Sequence, residues 1–531
     1  MAAVGWAAET AADAQPLPSD AELEASGAVI GEILIDNRNV FDPRDPKDNN
    51  GLFRTANRLH VTTRPEVIRH QLLFHTGDPY SRHALEESER TLRTNGYLYD
   101  ASVVPVSYHE GRVDVRITTR DLWTLNPGID FEREGGANSA GFVLEEDNLL
   151  GTGTSALLSR TSTIDRSGTT IAASNAHAFG TWTSLGASYS DNSDGDAVQV
   201  IVEHPFYSLD TRHAGGLNVT DYDQTDSLYD RGAIINQFHD THHFVESYFG
   251  WSHGLQDGWV RRWRAGVTYD EHLFNPLASW TGPTLVPEDR KFAYPWVEFD
   301  LLQDSYAKLR NHDQISRTED FYCGATTMVR AGWASASLGS SRSAMLFQSS
   351  AGTGRGCQGP STLLLSGAFS GRIEGGALRD GVLSGAIRYY WQQNRQWLLF
   401  TTIQGAKGWQ LDLDHQILLG GDSGLRGYPL RYQAGTARGL ATIEERYFSN
   451  WYVFRIFRIG AAAFVDAGRT WGAAPLAQPS LGVLTDAGFG LRVASSRWTL
   501  GGIVHIDLAF PFNGDSSIKR VQFLVQTQQQ F

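Results

Sequence analysis

The residues best suited to specific chemistry lie in the stretch 417–433, which reads ILLGGDSGLRGYPLRYQ. Glycines let the backbone adopt positive φ angles and approach other groups closely. Arg426 lies among these glycines, and Tyr428 and Pro429 follow them; a flexible solvent loop would be richer in Ser, Asn and Lys. The composition therefore predicts a loop that folds back and holds one guanidinium at a defined position. The glycines are Gly420, Gly421, Gly424 and Gly427.

The segment 421–424, Gly-Asp-Ser-Gly, also resembles the nucleophile loop of chymotrypsin-like proteases. Acyl transfer would require a base histidine and an orienting acid in a suitable context. No recognisable histidine motif lies upstream, Leu425 stands where that loop has glycine, and the sequence has no Gly-x-Ser-x-Gly elbow. We therefore expect no catalytic residue and no enzymatic activity.

Histidines are densest in a short segment that also contains an aspartate. In a strand, residues 239 and 243 share one face and residues 240 and 242 share the other, which leaves a metal site open. Because the Cys/His spacing of zinc sites is missing, histidines of a barrel lumen or a loop tip are favoured, and no metal or cofactor is predicted. The residues are His239, Asp240, His242, His243 and His253.

Downstream of Asp121, apolar and polar residues alternate with the period of a β-strand. In the segments 263–269 and 521–531, one face is apolar and the other carries residues such as Arg and Gln. This pattern fits a barrel with lipid outside and water inside. The predicted fold class is mainly β, a closed antiparallel transmembrane β-barrel over 121–531.

A small α/β domain is predicted over 28–120, before the barrel. A capping box at Thr63 and Glu66 opens its first helix. Residues 1–27 are rich in Ala, Asp, Glu and Pro and are predicted to be disordered, with a possible remnant of an export signal. The order is a strand at 29–35, a polar loop at 42–51, helices from 63 and over 81–95, and strands at 102–108 and 113–117.

Composition limits the partners. The net charge of −14 argues against nucleic acid, because phosphate binding needs clustered cations. No run approaches the ~18 apolar residues of a membrane helix. The two cysteines, Cys323 and Cys357, cannot form a disulfide framework, and both a single bridge and two free thiols remain open.

Three segments in order resemble the BamA/TamA superfamily of outer-membrane β-barrel assembly and secretion proteins. GGDSGLRGY at 420–428 is similar to its lumen-inserted loop, with an Arg-Gly-aromatic tip. TIEERYF at 442–448 is similar to its Glu-x-Arg strand, and AFVDAG at 463–468 to its Phe-x-Asp-x-Gly strand. The β-α-α-β-β order of 28–120 resembles one POTRA domain, the periplasmic unit that precedes such barrels.

The resemblance implies about sixteen strands, a lumen loop over about 417–436 and five strands after it. It implies that Arg426, at a tip completed by Gly427 and Tyr428, meets Glu444 and Asp466. A partly desolvated guanidinium needs such acidic partners. The supporting positions are Gly421, Gly424, Arg446 and Gly468, and Phe531 resembles the C-terminal aromatic recognised during assembly of such barrels.

The resemblance also implies a bacterial outer-membrane protein that handles polypeptides, with its POTRA domain in the periplasm. We favour an assembly factor whose seam, between the strands at about 121–134 and 519–531, opens to template client strands. The alternative is a two-partner-type secretion pore, although such pores usually have two POTRA domains and a plug helix. The expected partners are unfolded outer-membrane or secreted polypeptides, the lipid bilayer, and periplasmic chaperones or accessory subunits.

Overall fold

A computed structural model describes residues 17–499 and 502–528, so Phe531 lies outside the described residues. An N-terminal α/β unit precedes a closed barrel. The unit contains helices α1 Asp20–Ala25, α2 Gly51–Leu59, α3 Pro65–Arg69 and α4 Arg82–Thr94, and strands β1 Val29–Arg38, β2 Leu98–His109 and β3 Arg112–Asp121.

The N-terminal unit has a three-stranded sheet in the order β1-β3-β2, with β1 parallel and β2 antiparallel to β3. Alternate residues of β3, including Val113 and Val115, are buried against α4, which contributes Leu85 and Leu92. This packing follows from the period of two in the strand and the heptad spacing of the two leucines. The strand order leaves β1 and β2 as sheet edges.

Three local predictions for this unit were wrong. Residues 17–27 contain α1, whose capping box joins Ser19 and Glu22 and whose Leu23 is fully buried. The polar insertion is followed by the unpredicted helix α2, with Asn50 as its N-cap. Helix α3 begins at Pro65 without a side-chain cap, because the Thr63 hydroxyl binds a carboxylate of β3 instead.

The remaining strands run from residue 125 to residue 528. Two short hairpins, β14–β15 and β21–β22, form separate two-stranded sheets that are not part of the barrel wall. The strands are β4 Leu125–Glu134, β5 Ala137–Glu146, β6 Thr154–Ser162, β7 Ser167–Ala178, β8 Thr183–Asn192, β9 Gly195–His204, β10 His213–Asp230, β11 Ala233–Gln256, β12 Trp259–Pro276, β13 Arg290–Gln303, β14 Tyr306–Arg310, β15 Thr318–Tyr322, β16 Thr326–Ala334, β17 Ala344–Arg355, β18 Ser361–Glu374, β19 Ala377–Gln392, β20 Trp397–Trp409, β21 Ile417–Leu419, β22 Gln433–Gly435, β23 Ala437–Val453, β24 Phe457–Trp471, β25 Leu484–Ser495, β26 Ile503–Pro511 and β27 Gln522–Gln528.

The barrel wall has twenty strands in the described residues, so the predicted number of about sixteen was wrong. Many strands of the first half, such as β4, β5 and β6, have only 9 or 10 residues, which leaves room for more of them. Strand number sets the barrel diameter, and residue alternation carries no information about diameter. The five strands predicted after the loop, β23 to β27, are present.

The outer surface of the barrel is apolar, as a lipid-facing surface must be. Ile403, Ile443 and Val465 point outward from neighbouring strands and are about half exposed. Trp397 and Trp409 lie at the two ends of β20, about 28 Å apart along the barrel axis for a tilted strand, close to the ~25 Å apolar band of such barrels. Exposed tryptophans at both ends complete two aromatic girdles: Trp391, Trp397 and Trp451 on one side, Trp333, Trp409 and Trp471 on the other.

The cylinder closes between its first and last strands, β4 and β27. Among the described residues this seam has a single aligned pair, Val525 opposite Arg133. By contrast, β26 and β27 align continuously over 503–509, and β4 and β5 align over 125–134. The seam is therefore the most weakly paired junction in the described part of the wall.

The N-terminal unit sits against one rim of the barrel. Asp48 accepts hydrogen bonds from Arg455 and Arg497, which lie in turns at that rim, each at 2.7 Å. Arg93 of α4 donates two hydrogen bonds of 2.7 Å to Asp320 of the β14–β15 hairpin. Across the residues that the structure describes, none of the helices has the length and apolar character needed to cross a membrane.

Candidate functional site in the barrel lumen

The predicted loop enters the lumen from the rim opposite the N-terminal unit. Its base is the β21–β22 hairpin, and a 3₁₀ turn at Gly421–Ser423 ends at Gly424, whose φ of +100° suits glycine. The Ser423 hydroxyl accepts a hydrogen bond from Gly420 N at 2.8 Å and donates one to Gly420 O at 3.0 Å. The side chain that resembles a protease nucleophile is thus engaged in holding the turn.

The tip of the loop packs closely on β25. A Cβ added to Gly427 would lie 2.6 Å from Cβ of Asp486, so this approach requires glycine. Tyr428 is fully buried, and its hydroxyl donates to Asn513 Oδ1 at 2.7 Å and accepts from Thr485 N at 3.1 Å. The two tip residues named with Arg426 therefore position the loop.

The structure brings Arg426, Glu444 and Asp466 together inside the lumen. Arg426 donates through Nε and Nη2 to Asp466 at 2.8 and 3.0 Å, and through Nη1 to Glu444 Oε2 at 2.7 Å. The guanidinium carbon lies 3.3 Å from the ring centroid of Phe464, which adds a cation–π contact. All three charged side chains are buried, so each depends on its partners.

The strands place these carboxylates by alternation. In the β23–β24 pair, Thr442 lies opposite Asp466 and Glu444 lies opposite Phe464, so the inner residues face the loop. Thr442 Oγ1 donates to Asp466 Oδ1 at 2.7 Å. Gly468 leaves room for the loop base, because a Cβ there would lie 3.1 Å from Leu419.

Arg446, on the same face as Glu444, connects this contact to the other end of the barrel. Its Nε donates to Glu444 Oε1 at 2.9 Å, and its Nη1 donates to His312 O at 2.6 Å and to Asp313 Oδ1 at 3.1 Å. His312 and Asp313 lie at the tip of the β14–β15 hairpin, which enters the lumen from the rim near the N-terminal unit. Glu444 thus lies between an arginine of the loop and an arginine that holds the hairpin.

Other contacts also anchor the hairpin. Cys323, after β15, forms a disulfide with Cys357 in the turn after β17, which decides between the two alternatives left open for the cysteines. Ile315 at the tip is buried with Tyr390 and Leu398 of the wall. At its outer end the hairpin is held by the Arg93–Asp320 contact described above. It therefore connects the N-terminal unit physically to the charged network of the lumen.

Several residues of the network were not found from the sequence. Asp313 belongs to a loop with no motif, and Arg492 is a fully buried cation that donates to Asp507 at 2.5 Å and lies 3.6 Å from Glu444. The available signal was the strand alternation, which places Arg492 and Asp507 on inner faces, but pairing across strands also requires the register.

A buried carboxyl group outside the membrane joins the N-terminal unit to the barrel. Asp121, the last residue of β3, accepts hydrogen bonds from Thr63 N at 2.7 Å and from Thr63 Oγ1 at 3.0 Å. Asn148, in the β5–β6 turn, donates to the same hydroxyl at 2.8 Å. Burial raises the pKa of Asp121 to about 6.

Comparison with known proteins agrees with the helix and strand order of the N-terminal unit. A family model described as "POTRA: Surface antigen variable number repeat" matches residues 60–120. This chain carries a POTRA domain. This finding confirms the predicted POTRA domain, and the closed barrel behind it is a fold that implies the bacterial outer membrane.

Three solved structures match the chain at low identity. BamA from Haemophilus ducreyi lacking POTRA domains 1–3 is 14% identical, with 93% of this chain and 84% of that chain covered and a TM-score of 0.39. CdiB from Acinetobacter baumannii is 10% identical (94% and 74% covered, TM-score 0.46). CdiB from Escherichia coli is 12% identical (94% and 76% covered, TM-score 0.45). No curated protein matches the chain.

Proposed function

We propose that this protein is an assembly factor that helps β-barrel proteins fold and insert into the bacterial outer membrane. The observation that carries the proposal is the seam, where β4 and β27 have one aligned pair, Arg133 and Val525, among the residues that the structure describes. Strand edges with unpaired N–H and C=O groups are templates for an incoming strand. A junction that costs little to open would present two such edges to a client at the level of the membrane.

The contents of the lumen favour this function over a secretion pore. The loop around Arg426 enters from one rim and the hairpin tip with Asp313 enters from the other, and both bind the Glu444–Arg446 pair. A polypeptide threaded through the lumen would have to displace both elements and expose buried charges. An assembly factor that works at its seam leaves this network intact.

The POTRA domain supports the same proposal from the periplasmic side, where we place it. The sheet order leaves β2 as an edge strand, and Val104 on it is exposed. An extended client segment would add to such an edge through backbone hydrogen bonds. The proposed partners are therefore unfolded outer-membrane or secreted polypeptides and the bilayer, with periplasmic chaperones or accessory subunits delivering the clients. We assign no catalytic step to the protein.

Reconstitution into lipid vesicles tests the proposal. An unfolded client barrel is added from outside, and its insertion is followed by its resistance to protease and its heat-modifiable mobility on gels. Vesicles with this protein should show faster insertion than protein-free vesicles of the same lipid composition. Equal insertion rates, together with transport of a soluble exoprotein into the vesicles, would favour the two-partner secretion pore and overturn the proposal.

A further inference from the structure

We propose that His242, Asp270 and His272 form a binding site for a divalent transition-metal ion of the Zn²⁺ class on the lumen wall. The three residues offer one ligand atom each, and these atoms lie within 4.8 Å of one another. Two imidazoles and one carboxylate are a ligand set that binds such ions in proteins. The proposal stands on this cluster alone and is independent of the proposed function.

The pairing of β11 and β12 brings these residues together. His242 lies directly opposite His272, and Asp270 lies two residues before His272 on the same face. The residues that alternate with them on the two strands, Val245 and Val267, are exposed on the outer surface. The cluster therefore faces the lumen, and its members come from rigid wall strands.

The distances suit a shared ion. Asp270 Oδ1 lies 2.9 Å from His242 Nε2 and 3.6 Å from His272 Nε2. Tetrahedral ligands at zinc bond lengths lie about 3.3 Å apart, midway between these values. The two imidazole rings face each other with centroids 4.0 Å apart, so one ring must turn about its Cβ–Cγ bond to direct both lone pairs at the ion.

A carboxylate beside the cluster prepares His272 for binding. Both carboxylate oxygens of Asp240 lie 3.1 Å from His272 Nδ1, which places the proton on Nδ1 and leaves Nε2 free to bind a metal. In the described residues, His242 Nδ1 is buried and has no hydrogen-bond partner. The hydrogen bonding of the His242 ring is therefore incomplete: Nε2 lies beside the Asp270 carboxylate, and Nδ1 is unpaired.

The local charge balance also favours a cation. Three arginines line the cavity beside the cluster, and each is bound by carboxylates. Arg290 donates to Asp414 at 2.9 and 2.6 Å, Arg330 donates to Glu246 and Glu298, and Arg372 donates to Asp412. The carboxylates of Asp240 and Asp270 therefore retain negative charge for the ion. Asp270 and His272 also line a cavity of 330 Å³, which provides space for a water molecule at the fourth coordination position.

The test measures Zn²⁺ binding by calorimetry and Co²⁺ binding by visible absorption, with the full-length protein purified without a histidine tag. The wild type should bind one ion per chain. Asp270→Asn and His272→Gln should each weaken binding about tenfold or more. The matched control is His243→Gln, because His243 follows His242 on β11 but faces outward and binds Asp221.

Heat-modifiable mobility on gels shows whether each variant retains a folded barrel. Folded Asp270→Asn and His272→Gln variants that lose binding, beside a His243→Gln control that keeps it, support the site. The proposal is overturned if the wild type binds no ion, or if the doubly substituted Asp270→Asn/His272→Gln protein binds as the wild type does. It is also overturned if the His243→Gln control loses as much affinity as the cluster variants.

Discussion

Glu444 has an unusual position among the charged residues of the lumen, because its two carboxylate oxygens are divided between two arginines. Oε2 accepts from Arg426 of the loop and Oε1 accepts from Arg446, which in turn holds the hairpin tip. With all three side chains buried, each charge depends in part on the others for its stabilisation. A change at one arginine should therefore be felt at both ends of the lumen.

Replacement of the loop arginine tests this dependence. Arg426→Ala should lower the free energy of unfolding by about 3–5 kcal/mol, because it leaves Asp466 fully buried without its cation. Asp466→Ala should cost a similar amount, and the double variant should cost much less than the sum. Unfolding in denaturant, followed by tryptophan fluorescence in detergent micelles, gives the three values.

The same loop offers a matched control. Arg431 makes a two-point contact with Asp165, but 22% of the arginine side chain and 33% of the aspartate side chain are exposed. Arg431→Ala should therefore cost less than about 1 kcal/mol. If Arg426→Ala is no more harmful than Arg431→Ala, or if its effect adds to that of Asp466→Ala, the buried contact does not stabilise the barrel.

The carboxyl group of Asp121 should make stability depend on pH. Its pKa of about 6 in the folded protein lies above the ordinary value of 3.8, so the folded state binds more protons than the unfolded state between these values. Stability should fall as the pH rises from about 4 to about 6, by up to about 1.4 kcal/mol per pH unit, and should then level off.

The measurement compares pH profiles of unfolding for the wild type and Asp121→Asn. The variant should lose this part of the slope, even though its amide replaces one hydrogen-bond acceptor of Thr63 with a donor. Asp36→Asn is the control, because the Asp36 side chain is 47% exposed and lies on the neighbouring strand β1. An unchanged slope in Asp121→Asn would show that this group titrates normally.

At the scale of elements, we predict that the hairpin β14–β15 obstructs the lumen beneath the loop. Replacing its tip, residues 311–317, with a Gly-Ser linker of equal length should raise the single-channel conductance several-fold in planar bilayers. The tip carries Ile315 and the Arg446 partners, so its removal clears the rim near the POTRA domain. The same replacement at 277–283, a turn at the opposite rim, should leave conductance unchanged. Equal conductance of both variants would show that the hairpin does not obstruct the lumen.

The loop and the hairpin differ in how far the sequence predicts them. The loop has a tip of distinctive composition, and alternation in β23 and β24 places Glu444 and Asp466 on inner faces. The hairpin strands β14 and β15 have five residues each, and neither alternates apolar and polar residues regularly. Asp313 lies 133 residues from Arg446 in the sequence, so no local pattern links them.

Tertiary contacts also decided the elements that were predicted incorrectly. The composition of residues 17–27 suits both a disordered tail and a short capped helix, and the burial of Leu23 in the POTRA core selects the helix. Thr63 suits a helix cap, but Asp121 binds its hydroxyl instead. In both cases the deciding partner is distant in the sequence.

At the scale of the whole molecule, the barrel wall is uneven in height. Strands β10 and β11 have 18 and 24 residues, whereas β4 and β26, which flank the seam region, have 10 and 9. A membrane strand needs about 9–11 residues, so the wall near the seam is close to the minimum. Outward-facing ion pairs on the tall side, such as His239 with Asp223, lie beyond the lipid-facing band. In the part of the chain that the structure describes, the low wall and the sparse pairing thus coincide on one side of the barrel.

This asymmetry predicts that covalent closure of the seam stops client insertion. In a Cys323→Ser/Cys357→Ser background, Arg133→Cys with Val525→Cys places two thiols at the aligned seam pair. Oxidation should abolish the faster insertion seen in vesicles, and a reductant should restore it, because templating requires the two edges to separate. Val493→Cys with Val504→Cys is the control, since these residues are aligned between β25 and β26, which need not separate. If the oxidised seam variant inserts clients as fast as the oxidised control, clients do not enter at the seam. If the oxidised control is as inactive as the oxidised seam variant, the essential movement involves the whole wall and not the seam alone.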